Sequence, residues 1–241
     1  MEIFKREIED KIRDIYITMT DGSVTIRCDE NAELTTIYAE DARAGSIFFT
    51  MKTGGLMYID CEEDFSSDIY ITVPKRYIPY ISFNGGNADC IFSNLFLGLV
   101  LCKTEGDCSF HNIESIERFE VESIYGDVSI HECFIHNPKL NIQGGSLIIE
   151  DSQFIRNCDI ITNNSDIKCN FIGSDNYYNI VAKPPLDEKF ILVNGNRGEW
   201  NHFPVDVRCF ITVSGKTHKD IEFRIGYENE DEETDNDIFF N

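Results

Sequence analysis

The chain has 241 residues, and its 21 Lys and Arg stand against 43 Asp and Glu, a formal net charge of −22 with an isoelectric point near 4.4. That excess argues against nucleic-acid binding, which needs clustered cations to displace counterions from phosphate, and against adsorption to an anionic membrane surface. Hydrophobic residues at 42% and aromatic residues at 12% are too many for a disordered polyanion, so the chain is expected to fold around a sizeable core.

The first ten residues mix charge with apolar side chains and lack a signal-peptide stretch, and no later apolar run reaches the 18 residues of a membrane span. Segments 15–28 and 47–61 each read as strand, Gly corner, strand, with corners at Gly22 and Gly55, and a further strand at Ile69–Val73 ends at Pro74. Residues 1–79 are therefore expected to cap a stack of coils that begins near residue 80.

From 80 to 182 a period of about 20 appears. Gly86, Gly106, Gly126, Gly145 and Ser165 mark its corners. Two residues after each stand Ala88, Cys108, Val128, Leu147 and Ile167, and four after stand Cys90, Phe110, Ile130, Ile149 and Cys169. A column five after, Ile91, His111, His131, Glu150 and Asn170, is mostly polar, and a column before the turn runs Ile81, Leu101, Val121, Leu140, Ile160, Ile180. Alternation within a unit and recurrence between units describe short strands stacked about 4.8 Å apart, with the apolar columns merging into one core. The expected fold is all-β, a parallel β-solenoid of about 20-residue coils with irregular capping strands at both ends. Asn87, Asp107, Asp127 and Asp166 beside the corners are expected to hydrogen-bond the local turn.

Lys183 to Lys189, with Pro184 and Pro185, breaks the period, and strands at Phe190–Val193, Asp206–Val213 and Asp220–Ile225 close the domain at residue 226. Residues 227–241 carry seven acids and no base and are expected to form a mobile tail, outside a single domain spanning 1–226.

Candidate chemistry is sparse. The nine Cys (28, 61, 90, 102, 108, 133, 158, 169 and 209) are odd in number and contain no Cys-x-x-Cys, which predicts reduced thiols packed as small hydrophobes in a cytoplasmic protein. No nucleophile elbow, phosphate loop or His-Glu-x-x-His motif occurs, so neither a catalytic residue nor a cofactor is expected. His111, His131 and Glu150 fall on successive rungs of one outward column, whose nitrogen and carboxylate donors suit a divalent metal; the preferred reading is a polar ladder on a solvated face. Cys133 is read as a packed thiol. Tyr177, Tyr178 and Trp200, with His202 and Phe203, offer ring faces to a carbohydrate, against the simpler reading that they cap the open end of the stack.

Several blocks resemble a known family: Ile-Thr-Val-Pro (71–74), Lys-Thr-Glu-Gly-Asp (103–107), Ser-Ile-Tyr-Gly-Asp (123–127) and Thr-Val-Ser-Gly-Lys (212–216). They are similar to the Thr-Val-Ser-Gly-Asp blocks of the bacterial DUF4097 family of β-strand-repeat, "putative adhesin" proteins, over about residues 15–225. The resemblance implies a β-solenoid with no established catalytic activity or cofactor. The expected function is a non-enzymatic scaffold or binding module for a protein partner, with carbohydrate binding or polysaccharide processing as the alternative. Partner identity and oligomeric state are not legible in the sequence.

Overall fold

A computed structural model describes residues 3–9, 11–40, 46–173, 177–199 and 209–226. Trp200, His202, Phe203 and the acidic segment 227–241 lie outside the described residues. Among those described there is no α-helix, and no helix is long and apolar enough to cross a membrane.

The amino-terminal part forms β1 (Ile3–Ile8), β2 (Asp14–Met19), β3 (Ser23–Cys28), β4 (Thr35–Glu40), β5 (Ile47–Lys52), β6 (Leu56–Cys61), β7 (Asp68–Val73) and β8 (Tyr77–Gly85). The middle forms β9 (Asp89–Thr104), β10 (Cys108–Ser123), β11 (Val128–His131), β12 (Phe134–His136), β13 (Pro138–Gln143) and β14 (Ser146–Asn163). The remainder forms β15 (Asp166–Phe171), β16 (Tyr178–Lys183), β17 (Ile191–Val193), β18 (Asn196–Arg197), β19 (Cys209–Lys216) and β20 (Ile221–Ile225).

The middle strands pair in parallel, coil on coil, as the repeat predicts. Each coil has three sides. In β9 a first face takes Cys90–Ser93, a short second side Leu95–Leu97 and a third face Leu99–Thr104, each in register with its counterpart in β10. Asn94, Asn112, Glu132 and Asp151 turn the corner between the first two sides, all with left-handed φ of 47–56°. Asn and Asp tolerate that region because their short polar side chains bond locally or along the stack, and Asn112 Nδ2 donates to Asn94 Oδ1 at 2.8 Å.

The core is a set of inward columns. One runs Ile69, Val24, Cys90, Cys108, Val128, Leu147, Ile167, Ile221, Ile191, and its neighbour runs Ile71, Ile26, Phe92, Phe110, Ile130, Ile149, Cys169, Phe223, Val193. All are buried. Each fully buried aliphatic or aromatic side chain contributes about 1.5–3 kcal/mol, against at most about 1 kcal/mol for an exposed ion pair such as Lys103–Glu122, so the columns govern stability.

The repeat spacing is corrected in its first coil. Cys90, not Ala88, pairs with Cys108, a step of 18; Ser93, not Ile91, pairs with His111; and Cys102, not Leu101, joins Val121 on the inward column. The corner ladder shifts likewise. Asp89 Oδ1 accepts the Asp107 N–H at 2.7 Å, Asp107 Oδ1 that of Asp127 at 2.8 Å, and Asp127 Oδ1 that of Ser146 at 2.8 Å. These carboxylates clamp successive coils together instead of closing their own turns.

Both ends depart from sequential stacking. β2 lies between β6 and β8, and β3 between β7 and β9, so the first coil is inserted between two later ones. At the other end β19 lies between β14 and β16, and β20 between β15 and β17. Ile160 therefore neighbours Val213, and the expected succession from Ile160 to Ile180 is broken by the C-terminal coil. Segment 47–61 is an antiparallel hairpin of β5 and β6, not a strand-corner-strand coil, and β19 and β20 occupy different faces without pairing. Antiparallel additions cover the outer edges: β1 on β4 on β7, β5 on β6, and β18 on β17, which hides backbone groups that would otherwise template aggregation.

Candidate functional site

The first face presents two outward columns side by side. One runs Tyr70, Thr25, Ile91, Ser109, Ser129, Ile148; the other runs Thr72, Arg27, Ser93, His111, His131. The second column ends, level with Ile148, at Glu150, the one acid among these twelve positions. Asp68, Asp89, Asp107, Asp127 and Asp166 line one margin of the face, and Glu132 and Asp151 stand at the corner on the other. The stripe is flat and open. Ile91 and Ile148 are each 41% exposed and Tyr70 44%, while Ser129 Oγ donates to Ser109 Oγ at 3.1 Å across adjacent rungs.

His111, His131 and Glu150 do occupy consecutive rungs in register. The two imidazoles stack with centroids 5.3 Å apart and planes 14° from parallel. Their outer nitrogens point to residues that the alternation pattern does not single out: His111 Nε2 lies 3.3 Å from Glu132 Oε2, and His131 Nε2 3.4 Å from Asp151 Oδ2. The left-handed bend at each acid swings its carboxylate back toward the histidine of the preceding coil. Glu132 therefore takes the place expected of Glu150 as third member, with the donor atoms of His111, His131 and Glu132 within 4.8 Å of one another on the surface. The parallel rings aim their lone pairs side by side and not at one point, so in this arrangement they make a polar ladder.

Cys133 sits beneath this ladder and is buried. Its thiol donates to the His131 carbonyl at 3.1 Å, and burial pushes its pKa up to about 11, which leaves little thiolate at neutral pH. A nucleophilic role has no support there.

The aromatic candidates separate. Tyr178 is corrected from a ligand-facing ring to a core residue: it is fully buried, stacks on Phe171 at 4.9 Å and donates its hydroxyl to the Ile172 carbonyl at 3.0 Å, and burial raises its pKa. Its strand alternation turns it inward with Ile180. Tyr177 is half-buried and packs against the core. A tyrosine ladder that the 20-residue period does not reach stands on the third face instead. Tyr16 lies 4.7 Å from Tyr58 with rings nearly parallel and 5.0 Å from Tyr80, and Lys52 Nζ covers Tyr58 at 4.3 Å. The recurrent Tyr-Ile pairs at 16–17, 58–59 and 80–81 carry that signal. Tyr58 is thus flanked by Tyr16 and Lys52, and Tyr16 by Tyr58 and Tyr80.

One concave region lies on the third face between Asn84, Lys103, Glu122, Lys139 and Asn141, about 400 Å³ in volume, and another of about 490 Å³ lies between Arg27, Asp29, Arg76, Asn94 and Asn112. The charges of the first are already matched, Lys103 to Glu122 at 3.0 Å and Lys139 to Glu120 at 3.6 Å.

The family model of Toastrack DUF4097 matches residues 12–183. No curated protein matches the chain. Among solved structures, a "putative cell adhesion protein" from Clostridium sporogenes is 10% identical over 94% of this chain and 99% of its own, with a TM-score of 0.40. "Putative adhesins" from Parabacteroides merdae (8% identity, TM-score 0.46) and Bacteroides fragilis (13% identity, TM-score 0.39) each align over 94% of this chain and 97% of theirs.

Proposed function

The chain belongs to the Toastrack DUF4097 family, and we propose that it is a non-enzymatic β-solenoid scaffold that binds another protein through the acid-poor stripe of its first face. The observation that carries this reading is the stripe itself: twelve outward positions with a single carboxylate, Glu150 at its end, on a chain of net charge −22, holding exposed Ile91, Ile148 and Tyr70 among small hydroxyl side chains. A flat surface of that kind excludes little water from a small molecule but can be covered by a complementary protein surface, with the flanking acids setting orientation and selecting a partner that is neutral opposite the stripe and basic at its rim.

The nine unpaired thiols support a reducing, cytoplasmic location. Cys90 and Cys102, 3.3 Å apart and unbonded, are the pair that an oxidising compartment would test first.

A photo-crosslinking side chain at Ser129 should yield discrete protein adducts in the native cell, while the same group at Asn141 on the third face should not. Ile148→Glu should abolish those adducts without lowering the unfolding temperature, because the position is exposed. Adducts of equal pattern from both faces, or retention of the chain on a polysaccharide matrix that Ile148→Glu leaves unchanged, would count against the reading.

A further inference from the structure

Within the core, at the corner that joins β9 to β10, three thiols converge. Cys90 and Cys108 are register partners on the first face, and Cys102 approaches from the third face just before the corner at Glu105 to Asp107. The Cys90 and Cys102 sulfurs are 3.3 Å apart, those of Cys102 and Cys108 3.6 Å, and all three lie within 4.8 Å of one another. Each residue is at most 3% exposed. Among the described residues no other buried group of three metal-ligating side chains is this tight.

Packing alone does not ask for sulfur here. The next coil places Val121 against Cys102 and Val128 against Cys108, and on the other side Val24 lies against Cys90 and Phe83 against Cys102, so the adjoining levels are filled by hydrocarbon side chains. Sulfur atoms at 3.3 Å are also closer than the roughly 3.5–4.0 Å of ordinary nonbonded contact. We propose that Cys90, Cys102 and Cys108 form a three-sulfur binding site for a soft d10 metal ion, Cu(I), sealed inside the solenoid.

The geometry is close to what such an ion requires. Metal–sulfur bonds of about 2.3 Å around a three-coordinate centre put sulfurs roughly 4.0 Å apart, so binding requires the Cys102 sulfur to move away from its two partners by roughly half an ångström. Thiolates select Cu(I) and Zn(II) among biological cations. Zinc fills four positions, and no fourth Cys, His, Asp or Glu joins the cluster among the described residues, which leaves three sulfurs to Cu(I). Binding replaces S–H protons by the ion without change of oxidation state; two thiolates and one thiol around Cu(I) leave a net charge of −1 after two protons pass to solvent.

The test uses the full-length reduced chain without a histidine tag. Cu(I), supplied as its acetonitrile complex under argon, is added both to folded protein and during refolding from urea, then challenged with bathocuproine disulfonate. One Cu(I) per chain should survive the challenge, X-ray absorption should show a shell of three sulfurs, and Cys108→Val, which installs the residue that the next coil uses, should release the metal. Cys158→Val should retain it. The absorption shell is read on the unaltered chain and does not depend on any variant folding. Failure to retain copper under both loading conditions, a shell of nitrogen or oxygen, retention by folded Cys108→Val, or loss on replacing the more exposed Cys28 and Cys61 by Ser would overturn the proposal. So would a Cys90–Cys102 disulfide forming in place of copper uptake, which would mark the cluster as a redox pair.

Discussion

Gly126 shows how one residue type sets the stacking distance. A Cβ there would lie 2.0 Å from the Gly106 carbonyl oxygen, and one on Gly145 would lie 2.0 Å from that of Gly126, so the glycine column is a steric requirement between coils. Gly195 makes the contrast: its φ is +78° but a Cβ would meet nothing within 4 Å. Gly126→Ala should therefore cost about 3 kcal/mol or more, because backbone must move, whereas Gly195→Ala should cost only the roughly 1 kcal/mol of a left-handed non-glycine residue; urea midpoints would measure both. His136 gives a titratable counterpart. Burial, then the Arg156 charge, holds its pKa below 6.5, and its Nδ1 is buried without a partner. The folded state thus binds fewer protons than the unfolded chain, so this contribution to stability is present above the unfolded value near 6.5 and is lost as pH falls through the folded value. The imidazole should titrate below 6.5 by NMR, and His136→Gln should lose less stability between pH 7 and pH 5 than the parent. A steeper loss in the variant would reverse the assignment.

The coil is the element that the sequence displays most clearly, because a buried side chain every second residue and a glycine every 19 or 20 follow from strand geometry and stacking distance. Its register from Cys108 to Ile167 is accordingly legible. The first coil escapes the pattern because its return from Cys90 to Cys108 takes 18 residues while Gly86 and Gly106 happen to be 20 apart; the column of glycines and the column of pairs diverge there. Interleaving at the two ends is invisible for a different reason: β19 alternates just as β16 does, and nothing in alternation says which of them sits against β14. The same limit governs the site. Spacing places His111, His131 and Glu150 on one column, but the carboxylates that meet the imidazoles, Glu132 and Asp151, depend on left-handed corners that no periodicity records. Middle and terminal coils should consequently answer differently to deletion. Removing residues 127–145 joins Gly126 to Ser146 and brings β10 against β14 in the register both already use, so a shorter folded chain with one cooperative transition is expected. Ending the chain at residue 200 removes β19 and β20 from between strands that never touch each other, and should yield an aggregating product without a cooperative thermal transition. Circular dichroism melts of the two chains would distinguish them, and equal behaviour would argue against the interleaved order.

At the scale of the whole molecule, the solenoid converts a one-dimensional pattern into separated surfaces: a core of aliphatics, Phe and Cys, an acid-poor stripe, and margins where like charges recur from coil to coil. Asp89, Asp107 and Asp127 stand on successive rungs, spaced by roughly the 4.8 Å of the stack, and each is already engaged as an acceptor of the next coil's N–H. Those hydrogen bonds join the coils, while mutual repulsion along the ladder, added to a net charge of −22, opposes the compact state. The opposing ion pairs, such as Arg197 with Asp220 at 2.7 Å and Lys219 with Asp166 at 2.9 Å, are exposed and individually worth at most about 1 kcal/mol. Repulsion spread over a whole acidic margin therefore outweighs them at low ionic strength, where the screening length is about 30 Å at 0.01 M salt against about 10 Å at 0.1 M. Raising sodium chloride from 0.01 to 0.3 M should raise the thermal midpoint, most steeply over the first 0.1 M, and Asp107→Asn, which keeps an acceptor oxygen while removing the central charge of the ladder, should flatten that rise. Were the exposed ion pairs the stronger influence, the midpoint would fall with salt instead, and Asp107→Asn would leave the slope unchanged.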